Sequence, residues 1–141
     1  MKFLLVQGAN MEALGRRQSE LYGTTTARQL DALLRRQARR LGVSLDILYT
    51  NCEGEAVSAV HQADRDGVDG ILFNPAGFLH AGYALRDCLL SIRAPAIEIH
   101  MTNIEKRGYG SVTARAAVGV IAGFGVDSYG LALDAMVARL S

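Results

Sequence analysis

The 141-residue chain has two cysteines, two lysines and no apolar run long enough to span a bilayer, and each shortage closes off a class of function. Two cysteines cannot frame a domain with disulfides. Cys52 and Cys88 also lack metal-ligand spacing, so both are read as reduced thiols. Lysine occurs only at position 2, at the start of a predicted strand, and at 106, in a predicted loop, so a buried amine nucleophile is not expected. Fifteen basic and 14 acidic residues leave a net charge of +1. Spread along the chain, they make no electrostatic footprint for nucleic acid. The densest basic cluster, Arg35 to Arg40, falls on a helical pattern and reads as its solvated face. No GxGxxG or Walker lysine motif is present, which argues against a dinucleotide or a nucleoside triphosphate. A metal triad is missing too: His80 and His100 come from different strands, with only Glu98 between them in the candidate set, and no metal is expected. With no hydrophobic N-terminal signal pattern either, a cytoplasmic protein without membrane contact is the expectation.

Half of the residues are hydrophobic, and the length suits one domain with a substantial core, spanning residues 1–141. Strand and helix patterns alternate along it. KFLLV (Lys2 to Val6) reads as strand one, followed at once by a glycine-bearing turn. Hydroxyl N-caps at Thr24 to Thr26 open a helix carrying Leu30, Leu33, Leu34, Ala38 and Leu41, which Gly42 stops. VSLDILY alternates as strand two, and Glu53 to Asp66 forms a helix with Ala56, Val57, Val60 and Ala63 on one face. GILFNP is strand three, ended by Pro75. Tyr83, Leu85, Leu89 and Leu90 mark a further helix. AIEIH and GVIAGFG are strands four and five, and a last helix from about Ser128 offers Leu131, Leu133, Met136, Val137 and Leu140 for packing. Five strands separated by helices imply right-handed crossovers and an α/β three-layer sandwich.

In such sheets ligands bind beyond the carboxyl ends of the strands. Asn10, Arg17 and Tyr22 follow strand one, Asn51 and Glu53 strand two, Asn74 and His80 strand three, and His100, Thr102 and Asn103 strand four. Taken alone, Arg16, Arg17 and Tyr22 fit a solvated loop as well as a site, and a single strand-end histidine more often is structural. Convergence of all four sets on one sheet edge reverses that preference. His61, inside a helix pattern, is given no role. The residue types point to acid/base chemistry. A tyrosine with an ordinary pKa of about 10 is a poor base at neutral pH, but a nearby guanidinium stabilises its phenolate, and Arg17 is the obvious partner for Tyr22. His100 can donate a proton to a leaving oxygen, and Asn10 can hold a water against developing enolate charge.

Five motifs in order then carry a family resemblance over essentially the whole chain. They are G8-A-N10 and R17-x4-Y22-G23; N51-C-E53-G-E55; N74-P-A-G-F-L-H80 with A84-L-R-D87; and E98-I-H100-M-T-N103-I. The chain resembles the type II 3-dehydroquinate dehydratases, enzymes of the shikimate pathway and of quinate breakdown. The resemblance implies a flavodoxin-like sandwich with a five-stranded parallel sheet and an anti elimination of water from 3-dehydroquinate, giving 3-dehydroshikimate without a cofactor. By the same resemblance Tyr22 takes the C2 proton, Arg17 keeps its phenolate accessible, and His100, oriented by Glu98, protonates the departing C1 hydroxyl. Asn10 positions the water on the enolate. Asn74, His80 and Asp87 hold ring hydroxyls, Asp87 from a partner subunit, and the backbone N–H groups of Met101 and Thr102 bind the carboxylate. The implied assembly is a homo-oligomeric dodecamer of four trimers.

Three departures from the family pattern bear on recognition. G8-A9-N10-M11-E12 stands where the family usually has G-P-N-L-N. Leu79 replaces a common threonine or serine before His80. The stretch I104-E-K-R-G-Y-G-S111 is shorter than the family's segment, in which an arginine clamps a substrate hydroxyl. Arg107 either takes the clamp's place or matches an arginine further upstream. Besides the dehydratase itself, a paralogue acting on another cyclic hydroxy-keto acid and a non-catalytic metabolite-binding protein stay open. Retention of Tyr22, Arg17 and His100 argues against the last.

Overall fold

The computed structural model of the protein describes residues 1–141. Its strands are β1 (Lys2–Ala9), β2 (Ser44–Tyr49), β3 (Gly70–Ala76), β4 (Ala96–His100) and β5 (Gly119–Ala122). They form one parallel sheet in the order β2-β1-β3-β4-β5. The helices are α1 (Ser19–Tyr22), α2 (Ala27–Leu41), α3 (Glu53–Arg65), α4 (Tyr83–Ser91) and α5 (Asp127–Leu140). This order is that of a flavodoxin-like sheet, in which the chain reverses direction between β1 and β3 and leaves a crevice beyond their carboxyl ends.

Alternation along the strands builds the three layers. Phe3 and Leu5 of β1 face a core shared with α2 and α5, containing Leu30, Leu34, Tyr129 and Leu133. Leu4 and Val6 face the opposite core, with Ala56 and Val60 of α3 and Leu85 and Leu89 of α4. Helix α2 begins in a capping box, where Thr26 Oγ1 accepts from Gln29 N–H while Gln29 Oε1 accepts from Thr26 N–H. Gly42 ends it at φ 69°.

Some expected boundaries shift. Strand β1 continues past Val6 to Ala9, because Gly8 lets it run against β3: a Cβ at Gly8 would lie 2.2 Å from the Pro75 carbonyl oxygen. Pro75 does not end β3, which runs on to Ala76. Strand β5 stops at Ala122, since Gly123 and Gly125 take φ of 100° and 60° and turn the chain into α5. Leu33, Tyr83, Leu90, Leu131 and Leu140 are exposed rather than packed. On α5 the inward face is Ser128, Tyr129, Ala132, Leu133 and Met136, and Leu131 lies outside that stripe. No helix is long and apolar enough to cross a membrane.

Candidate active site

The carboxyl ends of β1, β3 and β4, with the segments after β1 and β4, enclose a cavity of about 140 Å³. Its dimensions and mixed polar and apolar lining suit a small molecule. Asn10 enters it from the residue after β1, in the left-handed conformation (φ 75°) that asparagine tolerates. Its N–H donates to Asn51 Oδ1 at 2.9 Å, which ties the exit of β1 to the end of β2. Glu53, by contrast, turns away to cap α4, where its Oε1 accepts from Leu85 N–H at 2.9 Å.

Strands β3 and β4 supply the deep wall. Asn74 lines the cavity with its amide held at both ends: Oδ1 accepts from Ala76 N–H at 2.9 Å, and Nδ2 donates to the Tyr129 hydroxyl at 2.8 Å. Two residues apart on β4, Glu98 and His100 share one face. Glu98 Oε1 accepts from His100 Nε2 at 2.5 Å, and Oε2 accepts from Thr113 Oγ1 at 2.6 Å. Glu98 and Thr113 are fully buried and His100 nearly so. A carboxylate so placed is tolerable because both oxygens have donors. His100 Nδ1 makes no hydrogen bond within the chain, so the imidazole has one nitrogen anchored and one free for a ligand. Beyond His100, the N–H groups of Met101 and Thr102 also make no hydrogen bond within the chain.

The outer wall is assembled from loops. Tyr22, the last residue of α1, is half-buried, and its hydroxyl accepts from Arg107 Nη1 at 3.2 Å. The same nitrogen donates to Thr102 Oγ1 at 3.1 Å. Arg17 stands over the Tyr22 ring, its guanidinium carbon 5.1 Å from the centroid, while its Nη2 donates to Gln18 Oε1. Thus Arg107, not Arg17, touches the phenolic oxygen, and two cations flank the ring. Arg107 also lies 4.9 Å from the Tyr109 ring centre, and Tyr109 packs on His80 with 5.3 Å between centroids. Leu79, Met11, Leu14 and Ile104 add an apolar lining.

Of the residues singled out from the sequence, Asn10, Arg17, Tyr22, Asn74, His80, His100, Met101, Thr102 and Arg107 therefore meet at one cavity, with Glu98 directly beneath His100. Asp87 does not join them: it lies exposed on α4. Glu12 is exposed in the 3-10 turn after β1 and is not part of the lining, whereas Leu79 is.

The model of the class II dehydroquinase family matches residues 1–137. The chain belongs to that family. It is 46% identical over 140 residues to a 3-dehydroquinate dehydratase of Xanthomonas oryzae pv. oryzae, covering 97% of this chain and 95% of that protein. Among solved structures, a type II dehydroquinase from Butyrivibrio crossotus superposes with a TM-score of 0.94 at 31% identity, covering 96% and 97% of the two chains. One from Propionibacterium acnes gives 0.92 at 36%, covering 97% and 96%.

Within this dehydroquinase framework, four contributors escaped the sequence reading. Tyr109 was visible only as a tyrosine between two glycines. Thr113 sits in a short 3-10 turn with no periodic signal. Gln7 was expected just beyond strand one, in the turn that follows it, and Tyr129 at the start of an apolar helix. Burial and direction, which periodicity does not encode for single polar residues, are what bring them to the site.

Proposed function

We propose that the chain is a 3-dehydroquinate dehydratase that eliminates water through an enolate, with Tyr22 as base and His100 as acid. The observation that carries this reading is that a tyrosine hydroxyl receiving a guanidinium N–H and an imidazole backed by a buried carboxylate line the same small cavity. Tyr22 as phenolate removes the C2 proton. Arg107 and Arg17 stabilise the negative charge that this oxygen carries before transfer. The electron pair left on C2 delocalises into the carbonyl, and Asn10 holds a water against the enolate oxygen. His100, steadied by Glu98, gives a proton to the C1 hydroxyl as the C1–O bond breaks and the enolate pair closes the C1–C2 double bond. Water leaves, and Tyr22 and His100 are reset by exchange with solvent. The unpaired N–H groups of Met101 and Thr102 suit the substrate carboxylate, and Asn74 and His80 suit ring hydroxyls. Asp87, remote from this chain's own cavity, would serve a neighbouring subunit's site.

That sharing fits a trimer-based dodecamer, working as a cytoplasmic single-domain enzyme over residues 1–141. The test is an absorbance assay for the conjugated enone with purified protein and 3-dehydroquinate, paired with light scattering at micromolar concentration. Turnover by a large closed oligomer is expected. Turnover by a clean monomer would remove the role given to Asp87. A second reading, the same elimination on a related cyclic hydroxy-keto acid, is favoured by the apolar Leu79 in the lining and by Tyr109 standing on His80. It gains if 3-dehydroquinate is not turned over while such an acid is.

A further inference from the structure

Beneath the cavity, Tyr49, Gln7 and Asn74 occupy one level across three strands: Gln7 is in register with Tyr49 on β2 and with Asn74 on β3. Tyr129 reaches this row from α5. Gln7 and Tyr129 are among the most deeply buried side chains in the molecule, and the polarity of their hydrogen bonds follows from a single backbone group. Because Ala76 N–H must be accepted, Asn74 presents Oδ1 to it, and Nδ2 points to Tyr129. The Tyr129 hydroxyl, accepting from Nδ2 at 2.8 Å, then donates its own proton to Gln7 Oε1 at 2.8 Å. One N–H of Asn74 is left, and Asn74 lines the cavity.

This arrangement has a cost. Gln7 Nε2 is buried without any partner, which an apolar residue in its place would avoid. Packing alone does not account for a tyrosine and a glutamine here, since a phenylalanine and a leucine would fill the same space with no polar group to satisfy. What the pair does is give the Nδ2 end of Asn74 an anchored acceptor, the other end being fixed by Ala76 N–H.

We propose that Tyr129 is a positioning residue that aims the remaining Asn74 N–H into the cavity as a donor to a substrate oxygen. This rests on the reading of the cavity as the dehydration site. Tyr129 touches no substrate and acts through Asn74 alone.

The experiment is a double-mutant cycle on the full-length protein with 3-dehydroquinate. Tyr129→Phe should lower kcat/KM about tenfold, mostly through KM, because binding loses a directed hydrogen bond while Tyr22 and His100 are untouched. In an Asn74→Ala background the same substitution should change kcat/KM by less than about twofold. An unchanged kcat/KM in folded Tyr129→Phe, or an equal loss in both backgrounds, would overturn the proposal. A purely structural tyrosine would lower Tm and leave KM alone. Should Tyr129→Phe not fold, Gln7→Met carries the same test, since it frees the Tyr129 hydroxyl from its anchor. If wild-type protein does not turn over 3-dehydroquinate, the functional reading fails separately, and a crystal structure of Tyr129→Phe still decides the positioning. A displaced Asn74 amide supports it and an unmoved one overturns it.

Discussion

His100 is held by a carboxylate that Thr113 holds in turn, all three in the interior, by contacts of 2.5 and 2.6 Å. Tyr22, across the cavity, stands on a one-turn helix, and its partner Arg107 is an exposed loop residue at 3.2 Å. The proposed acid is thus part of the core and shares its cooperativity, whereas the proposed base stands on segments outside the sheet, which local opening can reach without unfolding it. A dehydration needs both conditions. Substrate must enter and product leave, which asks for one movable wall, and the leaving hydroxyl must meet a proton donor at a fixed distance, which asks for one rigid wall.

The most severe way to test the comparison is to remove the proton-transfer groups on both sides. His100→Ala and Tyr22→Phe should each lower kcat by roughly 10²- to 10⁴-fold with the circular dichroism spectrum unchanged. Near-wild-type kcat in either variant removes the role assigned to that wall. Next, Thr113→Val leaves one oxygen of the buried Glu98 without its donor, at about 1–3 kcal/mol. Because this wall is core, kcat and Tm should fall together.

Arg107→Ala attacks the loop wall instead. It should lower kcat/KM by roughly 10- to 100-fold through the lost charge-assisted contact at Tyr22, with Tm nearly unchanged, since the guanidinium is exposed. A drop in Tm comparable to that of Thr113→Val would show that the loop is as integral to the fold as the sheet. The smallest effect concerns the level beneath both walls. Burial, above all, pushes the Tyr49 and Tyr129 hydroxyls above the usual phenol range; Asp31 adds to this for Tyr49, while the N–H that Asn74 donates to the Tyr129 oxygen opposes it. Their contribution to stability is complete below about pH 10, where the unfolded tyrosines ionise, and is lost progressively as the pH rises above that value. Tm measured from about pH 8 to about pH 11 should therefore fall at the alkaline end, and less steeply in Tyr49→Phe. An identical slope in that variant would show that Tyr49 is free to ionise in the folded protein.

The sheet was readable because β1, β3 and β4 are short apolar runs buried on both faces, β2 alternates in sequence, and the long helices carry apolar residues at helical spacing. The strand-end polar residues were readable for the same reason: once Lys2 to Val6, Gly70 to Pro75 and Ala96 to His100 are strands, Asn10, Asn74 and His100 have to lie at one edge. Misplaced boundaries came from backbone contacts, such as Gly8 against Pro75, that no single segment reveals. Nearness along the chain likewise made Arg17 the expected partner of Tyr22, and the structure corrects that. Arg17 is five residues away and Arg107 is 85, yet the second donates the hydrogen bond. Local order thus determined the layers and the edge where the chemistry gathers. Only the tertiary structure decided the partners of each polar group, because a hydrogen bond depends on distance and direction in space, and neither is a function of separation along the chain.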